Sequence, residues 1–288
     1  MCTCSVNTAC LRSMAHCSDA YICSRAQSHS YRLKQLHTFE KHMSAFLRSD
    51  DRSKCYLIVV AEQSDDGRAF NRGQLLNVGF REAQKRVAPL PLDSVIFHDV
   101  DLLPSEGLSR FYTEPPKQGQ PVHIAGPSTW GKYAQGDYQE VFFGGVTAIH
   151  PPDFEAANGY PNDYWGWGIE DDQLRLRVDA SGGLARGVQR PPVGVGQYHD
   201  IDSVSMLPLM MNRSTLIANA HRFNQKYFDQ SFQRGTLDPR WRHQNGLKGL
   251  LYDVLSRTER TLLGVEVYSV AVQMLHVTVD LISGDPDD

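Results

Sequence analysis

Val95-Ile96-Phe97-His98-Asp99-Val100-Asp101-Leu102-Leu103-Pro104 runs a short apolar segment directly into two carboxylates spaced i and i+2. A run of this length, rich in β-branched and aromatic residues, reads as a strand buried on both faces. Open α/β sheets place their ligands at the carboxyl ends of such strands. Asp99 and Asp101 therefore stand where a divalent cation and a diphosphate would be held, with carboxylate oxygens suited to Mg²⁺ or Mn²⁺. Two aspartates entering a loop are also common turn and capping residues, so the rest of the chain has to decide between the readings.

Upstream, Cys55 to Ala61 is a second short apolar run that reads as a buried strand. Before it, Leu33, Leu36, Phe39 and Met43 recur every three or four residues from Tyr31 to Leu47, the spacing of an amphipathic helix. A second helix is expected from about Asn71, with Leu76, Phe80 and Ala83 on one face, ended by Pro89 and Pro91. Helices alternating with buried strands imply an α/β sheet. Further strands are expected at Val122 to Ala125, Val141 to Ile149, Leu250 to Leu255 and Val270 to Leu281, and a helix from Asp171 to about Ala180. The stretch from Pro191 to about Gln244 reads as long loops with one or two helices, a feature of lids and binding loops.

With 288 residues, 41% of them hydrophobic, the chain can bury a sizeable core. A net charge of -4 provides no broad basic field, which argues against nucleic-acid binding and for a small-molecule partner. The sequence shows no signal peptide and no apolar run approaching the roughly 20 residues of a membrane helix. Cys2, Cys4, Cys10, Cys17 and Cys23 crowd the start, and only Cys55 lies beyond them. Residues 1–27 are accordingly read as a Cys-rich leader outside the fold, and residues 28–288 as a catalytic domain built without disulfides.

Downstream, Phe143-Gly144-Gly145 is followed by Asn158-Gly159-Tyr160-Pro161-Asn162-Asp163-Tyr164-Trp165-Gly166-Trp167-Gly168-Ile169-Glu170-Asp171-Asp172. Upstream stands Phe70-Asn71-Arg72-Gly73-Gln74-Leu75-Leu76-Asn77-Val78-Gly79-Phe80. In wording, order and approximate spacing these blocks resemble the β-1,4-galactosyltransferase family, with its F-N-R-x-x-L-x-N-V-G-F, D-V-D, G-G and W-G-W-G-x-E-D-D signatures. The H-D-V-D-L-L-P form at His98 to Pro104 and Leu255-Ser256-Arg257-Thr258 are similar to the branch that galactosylates xylose.

That resemblance implies a GT-A fold, a mixed central sheet flanked by helices. The implied reaction is inverting transfer of galactose from UDP-galactose to xylose, glucose or N-acetylglucosamine, with Mn²⁺ as cofactor and Mg²⁺ as the alternative. It makes Asp171 the base, which a helix N-terminus would hold at or below its ordinary pKa. Asp101 and His199 become metal ligands, with Gln197, Asp200 and Asp202 as candidates for a further one. Phe70, Arg72 and Asp99 would border the nucleotide, and Glu170 and Asp172 the sugars. Trp165 and Trp167 would offer aromatic faces to sugar rings, with Gly168 among the glycines that let their loop close. Gly144 and Gly145 would allow close approach of the donor.

Phe142 stands where the family commonly has a tyrosine, which opens N-acetylgalactosamine as an alternative donor sugar. Ser28-His29-Ser30-Tyr31-Arg32 keeps only Arg32 of the early nucleotide motif, which makes a weakly active sugar-binding relative the other alternative. Relatives of this kind are Golgi-lumenal and membrane-anchored, so the resemblance implies the Golgi lumen, while no anchor is visible here.

Overall fold

The computed structural model describes residues 17–26, 30–47, 55–131, 141–166, 168–201, 239–262 and 271–282. Its strands are β1 (Cys17–Ala26), β2 (Cys55–Gln63), β3 (Ser94–His98), β4 (Leu102–Pro104), β5 (Val122–His123), β6 (Val146–Ile149), β7 (Tyr198–Asp200), β8 (Tyr252–Leu262) and β9 (Ala271–Leu281). The helices are α1 (Ser30–Phe46), α2 (Arg72–Val87), α3 (Arg110–Thr113), α4 (Pro151–Ala156) and α5 (Glu170–Ala180). Seven strands form one sheet in the order β5-β6-β3-β1-β2-β9-β8, and β4 and β7 form a separate two-stranded ribbon.

The middle four strands, β3, β1, β2 and β9, run parallel, while β6, β5 and β8 are antiparallel to their neighbours. This is the expected mixed α/β sheet. Every residue of β2 is buried, because both faces are covered. Leu57, Val59 and Ala61 meet Leu75, Leu76, Val78 and Phe80 of α2 on one face, and Tyr56, Ile58 and Val60 meet Leu36, Phe39 and Met43 of α1 on the other. The continuous apolar run at 55–61 is the sequence mark of that two-sided burial.

Asn71 caps α2, its side chain accepting from the Gln74 backbone N–H at 3.0 Å. Gly79 lets that helix lie close on the sheet, since a Cβ there would stand 2.3 Å from Ile22 Cγ2. The helix is thereby seated with its first turn at the carboxyl end of β3.

Two expectations about the start of the chain are corrected. Residues 1–16 lie outside the described residues, but Cys17–Ala26 is no leader: it pairs in parallel with both β2 and β3 at the centre of the sheet. Cysteine packs as a small hydrophobe, and Ala20, Tyr21, Ile22 and Cys23 are all fully buried. The catalytic body is also not free of disulfides, because Cys55 is disulfide-bonded.

Other boundaries moved for local reasons. The strand expected from Val141 begins only at Val146, because Gly145 has φ +74, outside strand geometry. The strand expected at 250–255 extends to Leu262 along β9. Within the region read as long loops, Tyr198–Asp200 forms a strand, and residues 202–238 lie outside the described part.

Candidate active site

Arg72 opens α2, Asp99 follows β3, and Glu170 and Asp171 open α5. The Arg72 guanidinium joins all three carboxylates. Its Nε and Nη2 donate to Asp99 Oδ1 at 2.9 and 2.7 Å, and its Nη1 reaches Asp171 Oδ1 at 2.8 Å and Glu170 Oε1 at 3.3 Å. Arg72 and Glu170 side chains are 14% and 9% exposed, Asp171 19% and Asp99 30%, so the cluster is a floor open towards solvent on its Asp99 side.

Burial raises the pKa values of both α5 carboxyls. Glu170 is pushed up to about 7, first by desolvation and then by the neighbouring Asp171 charge, with Arg72 opposing. Asp171 is also raised by burial, against the Arg72 ion pair and a hydrogen bond from the Tyr160 hydroxyl. The expectation that the helix N-terminus keeps Asp171 at or below its ordinary value is thus corrected: loss of hydration outweighs the partners. One cation among three carboxylates leaves the group short of positive charge, a setting that a metal-bound diphosphate site could complete.

Gly144 lies directly against the base candidate, where a Cβ would be 2.4 Å from Asp171 Oδ2. Its carbonyl accepts from His123 Nε2 at 2.9 Å, and buried His123, driven down to about 3 by desolvation, stays neutral. His123 and Tyr160 escaped the sequence reading, since neither stands at a diagnostic spacing.

A network of buried amides sets this geometry. Asn77 donates to Tyr160 O at 2.8 Å and Asn162 Oδ1 at 2.9 Å, and accepts from Tyr160 N at 2.9 Å. Asn71 donates to Asn162 O at 2.6 Å, and Asn162 N donates to Asn245 Oδ1 at 2.6 Å. The two asparagines of the F-N-R-x-x-L-x-N block thus fasten the Tyr160–Asn162 backbone to α2, and through it the approach to α5.

Asp101 is half-buried and His199 exposed, on the ribbon beside β3. Leu102 pairs with Asp200 and Leu103 with His199, and Ile201 N donates to Asp101 O at 2.8 Å. Asp101 sits in the turn that leads into β4, and His199, next to buried Tyr198 on β7, faces away from the core, so the ribbon brings the two candidate ligands to neighbouring positions. Asp200 points to the opposite face, where it accepts from Trp130 Nε1 at 3.1 Å, which removes it as a further ligand. No group of three or more His, Cys, Asp or Glu that could hold a metal occurs among the described residues; Asp202 lies outside them.

The aromatic expectations divide. Trp165 is 4% exposed and packs in the core under the Arg68 guanidinium, 4.8 Å from its ring centroid, so it is corrected from a sugar platform to a buried anchor. Trp167 lies outside the described residues. Phe142 is also buried, 5.2 Å from the His123 ring. Phe70 is half-buried against the core, and its carbonyl accepts from Gly166 N at 2.8 Å, tying it to the Trp loop. Gly168, Asp172 and Asp171 are partly exposed near the start of α5, and Gly145 is buried beside Gly144.

A mixed α/β sheet, parallel at its centre, with Asp99 at the end of one strand and an acidic helix start facing it is the arrangement of a GT-A fold. Residues 9–113 match the N-terminal region of glycosyl transferase group 7, and residues 132–203 match the family described as N-terminal domain of galactosyltransferase. The chain is 34% identical over 233 residues to β-1,4-galactosyltransferase 3 of Bos taurus, covering 81% of this chain and 50% of that protein. It is 32% identical over 249 residues to β-1,4-galactosyltransferase 7 of Drosophila melanogaster, covering 86% and 66%. The crystal structure of the catalytic domain of the Drosophila protein, in complex with xylobiose, superposes with a TM-score of 0.61 at 29% identity over 93% of this chain and 97% of that one. An aspartate-to-asparagine mutant of the same protein, in complex with manganese, UDP-Gal and xylobiose, gives 0.60 at 28% identity, covering 93% and 98%. The chain belongs to glycosyltransferase group 7, the β-1,4-galactosyltransferase family. It spans about half the length of the first curated relatives it matches.

Proposed function

We propose that this chain is an inverting galactosyltransferase that moves galactose from UDP-galactose to a sugar hydroxyl in a β-1,4 link, xylose, glucose and N-acetylglucosamine being the candidate acceptors. The observation that carries the reading is the convergence of Asp99, Glu170 and Asp171 on Arg72 at the carboxyl end of β3.

Asp171 takes the proton from the acceptor hydroxyl while that oxygen bonds to C1 of the donor sugar, and the C1–O bond to UDP breaks with its electron pair leaving on the diphosphate. Attack from the face opposite UDP inverts C1. Arg72 and Tyr160 orient the Asp171 carboxylate, and Arg72 holds Asp99 beside the nucleotide. Glu170 positions donor hydroxyls and Asp172 the acceptor. Phe70 borders the nucleotide, Gly144 leaves room for the base, and Gly168 belongs to the loop over the donor.

Asp101 and His199 would hold the cation, which supplies charge neutralisation on the leaving diphosphate. A carboxylate beside an imidazole suits Mn²⁺ better than Mg²⁺, which prefers oxygen alone. The Cys55 disulfide fits an oxidising secretory compartment, in keeping with the Golgi lumen.

Release of UDP is the test: protein, Mn²⁺, and UDP-galactose or UDP-N-acetylgalactosamine are mixed with β-xyloside, glucose or N-acetylglucosamine acceptors, beside an Asp171→Asn control. Acceptor-dependent release with UDP-galactose, abolished in the control, is expected. UDP binding without release across the panel would overturn the transferase reading.

A further inference from the structure

His98, Tyr112 and Tyr198 come from three separate elements, β3, α3 and β7, yet their side chains form one buried chain of hydrogen bonds. His98 Nδ1 lies 2.8 Å from the Asp99 carbonyl, which can only accept, so the proton sits on Nδ1 and Nε2 is the acceptor. Tyr112 Oη, 2.8 Å from that Nε2, is therefore its donor. Tyr198 Oη, 2.6 Å from Tyr112 Oη, donates in turn, so each hydrogen has one defined place. The Tyr198 ring also meets the His98 ring edge-on at 6.3 Å.

The ends of this chain are informative. One end fastens the backbone of Asp99, two residues before Asp101. The other end is the residue preceding His199, and alternation along β7 points Tyr198 into the core while His199 faces out. The ribbon itself is short, with Leu102, Leu103 and Pro104 opposite Asp200, His199 and Tyr198, and Pro104 has no N–H to add to the ladder. Backbone bonds close the ribbon at both ends, Ile201 N donating to Asp101 O at 2.8 Å and Ser105 N to Gln197 O at 2.9 Å, and on its core side the buried hydroxyl chain fits that register alone.

We propose that His98, Tyr112 and Tyr198 are positioning residues that lock the β4–β7 ribbon against β3 and so fix the separation of Asp101 and His199 as a divalent-cation pair. The proposal rests on the reading of those two residues as ligands. It places the stiffness of the cation site in a core chain that touches neither substrate nor cation.

Mn²⁺ affinity in the presence of UDP, followed by the electron paramagnetic resonance signal of free Mn²⁺, tests it on the whole chain. Tyr198→Phe is the sharpest variant, because Tyr112 can still donate to His98 and no buried nitrogen is stranded. Tyr21→Phe is the control: it removes an equally buried hydroxyl that donates to the Tyr112 carbonyl at 2.8 Å but lies outside the chain. Tyr198→Phe should weaken Mn²⁺ binding by about 10-fold or more, the usual effect of losing a residue that orients a metal ligand. Tyr21→Phe should leave it unchanged. Equal weakening by both variants, or none by Tyr198→Phe while Asp101→Asn abolishes binding, would overturn the positioning role alone. Wild-type affinity in both Asp101→Asn and His199→Ala would overturn the ligand reading, and the positioning role with it.

Discussion

Arg72 Nη1 donates to Asp171 Oδ1 at 2.8 Å across 99 residues of sequence, and the other edge of the same guanidinium holds Asp99. One planar side chain thus sets the distance between the end of β3, where the leaving diphosphate belongs, and the start of α5, where the base belongs. Lysine keeps the charge but offers a single point instead of a fork. Arg72→Lys should lower kcat by about 100-fold, the cost of misplacing a catalytic group by about 1 Å, with the fold retained. Steady-state kinetics beside far-ultraviolet circular dichroism checks both halves of this expectation.

The base is also placed by what is missing at residue 144. Alanine there puts a methyl carbon 2.4 Å from Asp171 Oδ2 and 2.9 Å from Phe142 Cε2. Gly144→Ala should therefore depress kcat far more than it raises the UDP dissociation constant. Comparable losses in both would mean that the glycine serves the nucleotide and not the base.

Glu170 ties stability to pH. Its carboxyl rises from 4.5 to about 7 in the folded protein, so the folded state holds this proton more tightly than the unfolded chain does. The resulting stability is complete below about pH 4.5 and is lost as pH rises through about 7. In the absence of metal and nucleotide, the wild type should lose stability from this group as pH rises between those limits. Glu170→Gln cannot ionise and should lack that component. Urea denaturation in EDTA across pH 5 to 8, roughly the window of the shift, measures it; parallel slopes for the two proteins would contradict the assignment.

Asn77 carries three buried hydrogen bonds to the Tyr160–Asn162 segment. Its loss strands the Tyr160 N–H and carbonyl, each costing about 1–3 kcal/mol when left unpaired in the core. Asn77→Ala should destabilise the protein by about 2–4 kcal/mol. Because the same segment carries Tyr160 against Asp171, activity at a temperature well below unfolding should fall as well.

The sequence by itself determined the features whose physics is local. The buried strand from Cys55 to Ala61, the α2 helix from about Asn71, and the acidic opening of α5 follow from apolar runs and spacing, all contained in a few consecutive residues. The motif blocks further marked Arg72, Asp99 and Asp171 as a set, without saying which atoms meet.

Tertiary structure alone decided the long-range matters. Cys17–Ala26 has too short an apolar run to announce a strand, and becomes the centre of the sheet only because β2 and β3 supply partners on both sides. Trp165 is buried because the face it meets is apolar, a fact held by α2 and the sheet rather than by its glycine neighbours. The raised pKa values of Glu170 and Asp171 come first from lost water, which outweighs Arg72 arriving from 98 and 99 residues away. Spacing along a chain fixes which neighbours share a face; hydration and charge inside a site depend on every element packed around it.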